Sequence, residues 1–108
     1  MPDTYKVLGQ SNPLAATLTD AYTVPAATQT IISTIVIANR GAATSFRIAV
    51  RPAGAAIANQ HYIAFDVAIG ANETIALTLG VTLATTDVVS VFATLATLSF
   101  NIYGVEKT

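Results

Sequence analysis

Apolar side chains recur at every second position in four separate stretches of this chain, a spacing that belongs to strands rather than helices. In TSFRIAVRP, Phe46, Ile48 and Val50 point one way while Arg47, Ala49 and Arg51 point the other. In QHYIAFDVAIG, Ile63, Phe65, Val67 and Ile69 share a face opposite Tyr62, Ala64, Asp66 and Ala68. In NETIALTLG, Ile75, Leu77 and Leu79 alternate with Thr74, Ala76 and Thr78, and in LATLSFNIYG, Leu98, Phe100 and Ile102 alternate with Thr97, Ser99, Asn101 and Tyr103. Turn-forming residues punctuate these runs at ANRG (38–41), RPAG (51–54), GANE (70–73) and ATTD (84–87). The pattern predicts an all-β, single-domain antiparallel β-sandwich, jelly-roll-like, with about eight strands. They are expected at roughly 4–9, 16–23, 29–38, 44–51, 61–69, 73–79, 87–94 and 96–105. Residues 51–60 form the longest connection; its alanines favour a short helical turn that Pro52 and Gly54 limit. Residues 1–14, which include Asn12-Pro13, read as an N-terminal arm, either a strand added to a neighbour or a loosely docked terminus, and 15–108 as the sandwich domain.

IISTIVIANRG, Ile31 to Gly41, carries no charge before Arg40 and no proline. Such a segment pairs readily with any exposed strand. Strict alternation places Ile31, Ser33, Ile35 and Ile37 on one face and Ile32, Thr34, Val36 and Ala38 on the other. Neither face is polar enough for a strand with one side in water. Two readings follow: the second face, represented by Ile32, Thr34 and Val36, is covered by a neighbouring subunit, or the strand is central and its outer face is tolerated. The same choice applies to VVSVFATLATLSF, where Val89 and Val91 oppose Phe92.

Composition sharpens the question. Of 108 residues, 53% are hydrophobic and only 10% charged, against about 25% charged in an ordinary domain. Net charge is −1 at pH 7, so little electrostatic repulsion keeps copies apart. Such a chain is expected to be covered by partners or to solvate itself with Thr, Ser and Asn. Five Lys+Arg against six Asp+Glu make no basic field, which argues against nucleic acid as a partner. No apolar run reaches the ~18–20 residues of a spanning helix, so no membrane role is expected. The start, MPDTYKVLGQ, lacks a basic region followed by an apolar one, which predicts a chain that stays in the cytoplasm where it is made or in something assembled there. There is no cysteine, hence no disulfide and no thiolate metal site.

Catalytic chemistry is hard to assemble. His61 is the only histidine, and Asp66, five residues on, falls on the opposite face of a regular strand. Imidazole metal sites usually need a second histidine or converging carboxylates. Asp3, Asp20, Asp66, Glu73, Asp87 and Glu106 are scattered, mostly near turns, and four Tyr and four Phe without Trp are few for a sugar cleft. Asn72 in NET matches a glycosylation acceptor but reads as a turn residue. The sequence therefore predicts no catalytic residue, no metal and no cofactor. Arg40, Arg47 and Arg51 stand out instead, three of the five basic residues within twelve positions. Arg47 and Arg51, four apart on a strand, lie about 13 Å apart on one face. They read either as forks for carboxylates on a partner or as a solvated face that guards an edge.

One further pattern runs along nearly the whole chain, about residues 11–106: YTVPAATQTIIST, ANRGAATSFRIAVRPAG, HYIAFDVAIGANETIALTLG, LATTDVVSVFA and LSFNIYGVE in that order. In this the chain resembles small all-β virion proteins of tailed bacteriophages. The resemblance implies a non-enzymatic structural component of the particle, made in the bacterial cytoplasm. It does not fix the place in the particle; small size and a single compact domain favour a capsid decoration (cement) protein on the capsid exterior, a class that is commonly homotrimeric, whose partners are itself and the major capsid protein or another virion protein. A tail, neck or fibre-adaptor part is the alternative within that class. A carbohydrate-binding module for host attachment is less consistent with the missing Trp, and a small hydrolase is the weakest reading.

Overall fold

The structure, a computed structural model, describes residues 3–108. Nine strands form: β1 (Asp3–Ser11), β2 (Thr19–Thr23), β3 (Gln29–Asn39), β4 (Thr44–Arg51), β5 (Tyr62–Ile69), β6 (Thr74–Leu77), β7 (Val81–Leu83), β8 (Val88–Ala93) and β9 (Leu98–Lys107). The expected last-but-two strand, 73–79, is shorter than its pattern. It breaks at Thr78–Gly80, where Gly80 takes a positive φ, and resumes as β7; Leu79 is left exposed.

Strand pairing is nested. β1 lies antiparallel to β9, β2 to β8, β3 to both β6 and β7, and β4 to β5. Successive pairs fall alternately in two sheets, β1-β9-β3-β6 with β7 also on β3, and β2-β8-β4-β5. The chain is thus one long hairpin, doubled at residues 52–61 and rolled into two layers, which is jelly-roll topology. The expected sandwich is what forms. The doubling point holds two 3-10 turns, Pro52–Gly54 and Asn59–His61, in the connection expected to turn helically.

Most of the stretch read as an arm is β1. It runs along β9 from Asp3↔Lys107 to Ser11↔Phe100, an edge strand of the first sheet. Met1 and Pro2 of that arm lie outside the described residues.

Between the layers lie Ile32, Ile35, Ile37, Leu98, Phe100 and Ile102 from one sheet and Phe46, Ile48, Ile69, Val89 and Val91 from the other. Phe46 and Phe100 meet edge to face, 6.1 Å between centroids. Each such side chain contributes about 1.5–3 kcal/mol by leaving water. On β4 and β9 alternation put the right residues inside.

On β3 and β5 it did not, and in both a bulge is the reason. β3 slips against β9 between Ile32 and Thr34. The extra residue, Ser33, moves Ile32 inside with Ile35 and Ile37, and it is only 1% exposed. Ile31 turns outward instead, with Thr34, Val36 and Ala38. Ile32 therefore does not share the outer face of Thr34 and Val36, as expected from a regular strand. The backbones lie close at the bulge: a Cβ on Gly104 would collide with the Ile31 carbonyl oxygen, so only glycine fits there. β5 slips against β4 between Phe46 and Ile48, and Asp66 takes a left-handed φ of 50°. Val67 and Ile69 face the core as expected, but Ile63 and Phe65 turn out to solvent while Ala64 packs inward.

IISTIVIANRG is carried safely because β3 is central. β9 takes one of its edges and β6 with β7 the other. The strands left at the edges are short, bulged or marked by a charge: β6 and β7 have four and three residues, β2 and β5 are bulged, and β1 carries Lys6 and a bulge beside Leu8.

Candidate interaction surfaces

The cross-strand register defines the outer face of the β1-β9-β3-β6 sheet row by row. Tyr5, Val105, Ile31 and Thr82 stand abreast on four strands. Val7, Tyr103 and Thr34 form the next row, then Gln10, Asn101, Val36 and Ala76, then Ser99, Ala38 and Thr74. None of these side chains is charged. Asp3 opposite Lys107 bounds the face at one end, and Arg40 at the other. Tyr5 is 78% exposed, and Val7, Ile31 and Tyr103 are exposed as well. Thr34 and Val36, expected on a covered surface, are half-buried in the middle of this face, and Ile31 takes the place expected of Ile32.

The opposite sheet is differently dressed. The connection 52–61 folds against its outer side, where Ala49 and Ser90 are fully buried. His61 Nδ1 accepts a hydrogen bond from the Ala58 N–H and so closes the second 3-10 turn rather than facing a carboxylate. Arg51 ties the connection down. Its guanidinium donates to Asp20 at 2.7 Å, to Ser90 Oγ, and to the carbonyls of Gly54 and Ala55. Arg47 lies between two rings, its Cζ 4.1 Å from the Phe65 centroid and 4.6 Å from that of Phe92. The bulge that turns Phe65 outward also brings Asp66 beside it, and Arg47 Nε donates to Asp66 Oδ1 at 2.6 Å. That bond stabilises the Arg47 charge and raises its already high pKa. Tyr62 packs edge-on against Phe65.

The three arginines thus do not form one cationic cluster. Arg47 and Arg51 each have a carboxylate within the molecule, and β4, which carries both, lies between β8 and β5 rather than at a sheet edge. Arg40 donates to Ser99 Oγ and the Ala96 carbonyl and, among the described residues, meets no carboxylate.

A third cluster escaped the sequence reading. Glu106 is buried at one end of the sandwich, its Oε1 2.8 Å from Lys6 Nζ and its Oε2 accepting the Tyr22 hydroxyl at 2.6 Å. Thr30 Oγ1 lies 2.8 Å from the same phenol oxygen. Lys6 first, then Tyr22, hold the carboxyl below its usual range. Burial, then the bond to Glu106, push the Tyr22 phenol up to about 12. The cluster joins β1, β3 and β9 to β2 across the two layers. A signal was present: Glu106 shares parity with Leu98, Phe100 and Ile102, so a strand running past 105 must turn it inward. Two further carboxylates do turn work, Glu73 accepting the Gly70 N–H and Asp87 the N–H groups of Ala53 and Ala84.

Two depressions of about 470 and 660 Å³ share Gln29 and Lys107 at one end, and each has two threonines in its lining. Among the described residues no three His, Asp or Glu side chains converge as a metal would need. Chemically, the most extensive feature is the uncharged sheet face. Comparison of the chain with protein-family models, curated proteins and solved structures returned no match.

Proposed function

We propose that this chain is a non-enzymatic structural protein of a tailed-bacteriophage particle. In this reading it is a head decoration protein on the capsid exterior that forms a homo-oligomer and clamps neighbouring major capsid subunits. The sequence resemblance over residues 11–106 motivates the class. The observation that carries it is the uncharged outer face of the β1-β9-β3-β6 sheet. A chain with 10% charged residues that leaves Tyr5, Val7, Ile31 and Tyr103 on one face is built to be covered. Many identical copies reinforce a shell although each contact is modest.

Particles with and without the protein test this directly. Complete particles should carry it in hundreds of copies and release their genome at a higher temperature than particles lacking it. Release at the same temperature, or a copy number in small multiples of three or six, would move the protein to the tail, neck or fibre attachment. Its absence from purified particles would overturn the virion reading altogether.

A further inference from the structure

We infer that the outer face of the β1-β9-β3-β6 sheet seats a second copy of this chain in a two-fold pair. Resting on the structural-protein reading above, this names the partner of that face. Three observations select a second copy. The face is of the right size: four strands about 4.8 Å apart, the longest central one 11 residues at about 3.3 Å each, span on the order of 700 Å² before side-chain relief is counted, close to the roughly 800 Å² per partner of a specific interface. It is electrostatically indifferent to itself: its four central rows carry no charge and the chain's net charge is −1, so two copies meet without repulsion, whereas a foreign partner is usually selected by complementary charge.

The third observation is shape. Large side chains, Tyr5, Tyr103 and Ile31, occupy the half of the face near Asp3 and Lys107. Smaller ones, Ser99, Ala38, Ala76 and Thr74, with Val36, Gln10 and Asn101 beside them, occupy the half near Arg40. A two-fold axis in the plane of the sheet and across the strands lays the large half of one copy over the small half of the other. Two sheets packed this way sit about 10 Å apart. A threefold ring, as the resemblance implies, would set this face against a different surface and leave that match unused.

Light scattering on the purified full chain at about 50 µM, a concentration above most specific dissociation constants, tests the pair. The expected mass is twice 11.2 kDa. Ile31→Lys with Tyr103→Lys should reduce it to one copy, and so should Ala76→Lys alone in the small half. Phe65→Lys, on the opposite sheet, should leave the pair intact. Unchanged far-UV circular dichroism in each variant separates loss of pairing from loss of folding. A monomeric wild type, a trimer, a paired double-lysine variant, or dissociation caused by Phe65→Lys would each overturn the inference. Failure of the functional reading looks different: a wild-type pair that is missing from particles refutes the virion role and leaves the pair standing. A monomer that still occupies particles through this face does the reverse.

Discussion

Asn39 sits at the end of β3 with its side chain turned inward, 5% exposed, and uses every hydrogen-bonding site of its amide. Nδ2 donates to the Ala42 and Gly70 carbonyls at 2.8 and 2.9 Å; Oδ1 accepts from the Gly41 N–H and Thr97 Oγ1, both at 3.0 Å. One residue thus fastens the β3–β4, β5–β6 and β8–β9 connections together. Asn39→Ala leaves part-buried groups in all three without their partner, and urea denaturation should show a loss of about 1–3 kcal/mol. The Tyr22–Glu106 pair makes stability depend on pH at both ends of the range. Glu106 titrates lower folded than unfolded, so its contribution is full above the ordinary carboxylate range and is lost as pH falls through its depressed value. Tyr22 titrates higher folded than unfolded, so its contribution is full below pH 10 and is lost as pH rises toward 12. Thermal melts across pH should show both limbs. Glu106→Gln should lower the melting temperature at pH 7 and flatten the acid limb, and Tyr22→Phe should flatten the alkaline one.

Elements with a bulge and elements without one behave differently toward sequence reading. β4 and β9 keep strict alternation on their inward faces, and Phe46, Ile48, Phe100 and Ile102 were legible as core from spacing alone. β3 and β5 each insert a residue, and every side chain beyond it changes face. Isoleucine serves equally well on both sides of such a step, so composition does not mark it. Ile32 and Ile63 measure the consequence, because regular alternation exchanges their roles. Ile32→Ala should cost about 2–5 kcal/mol, as a cavity in a packed core does. Ile63→Ala, at an exposed edge, should stay within about 0.5–1 kcal/mol. Paired chemical denaturation of the two variants reads the bulges directly; equal losses would mean that one of them is misplaced.

At the scale of the molecule, nesting controls how the chain folds. The outermost pair joins Asp3 to Lys107, and the innermost, β4 with β5, closes only across the 52–61 connection. Most pairings therefore wait for distant segments to meet, and loop-closure entropy is lost before contacts repay it. Stopped-flow refolding should accordingly fall in the range of about milliseconds to seconds, as for other all-β sandwiches. Microsecond relaxation would be inconsistent with this topology. The same nesting sets β3 between β9 on one side and β6 with β7 on the other, so neither of its edges is left open to another strand.

By itself the sequence determined the β class, the single domain, the approximate strand positions and most of the core, because period two and turn residues are local properties written every ten residues or so. It also marked β3 as a strand with one face too many to leave in water. Tertiary structure alone decided where Ile31 and Ile32 point on that strand, and where Ile63 and Phe65 point on β5, since a single inserted residue at Ser33 or Asp66 exchanges the faces on one side of it and nothing local announces the insertion. It alone decided that Arg47 and Arg51 are matched within the molecule, because Asp66 reaches Arg47 through a bulge and Asp20 reaches Arg51 across β8. The Lys6–Glu106–Tyr22 cluster, with Glu106 and Tyr22 buried, was decided there too. Its members are up to 100 residues apart and meet only when the ends of the chain close the sheet.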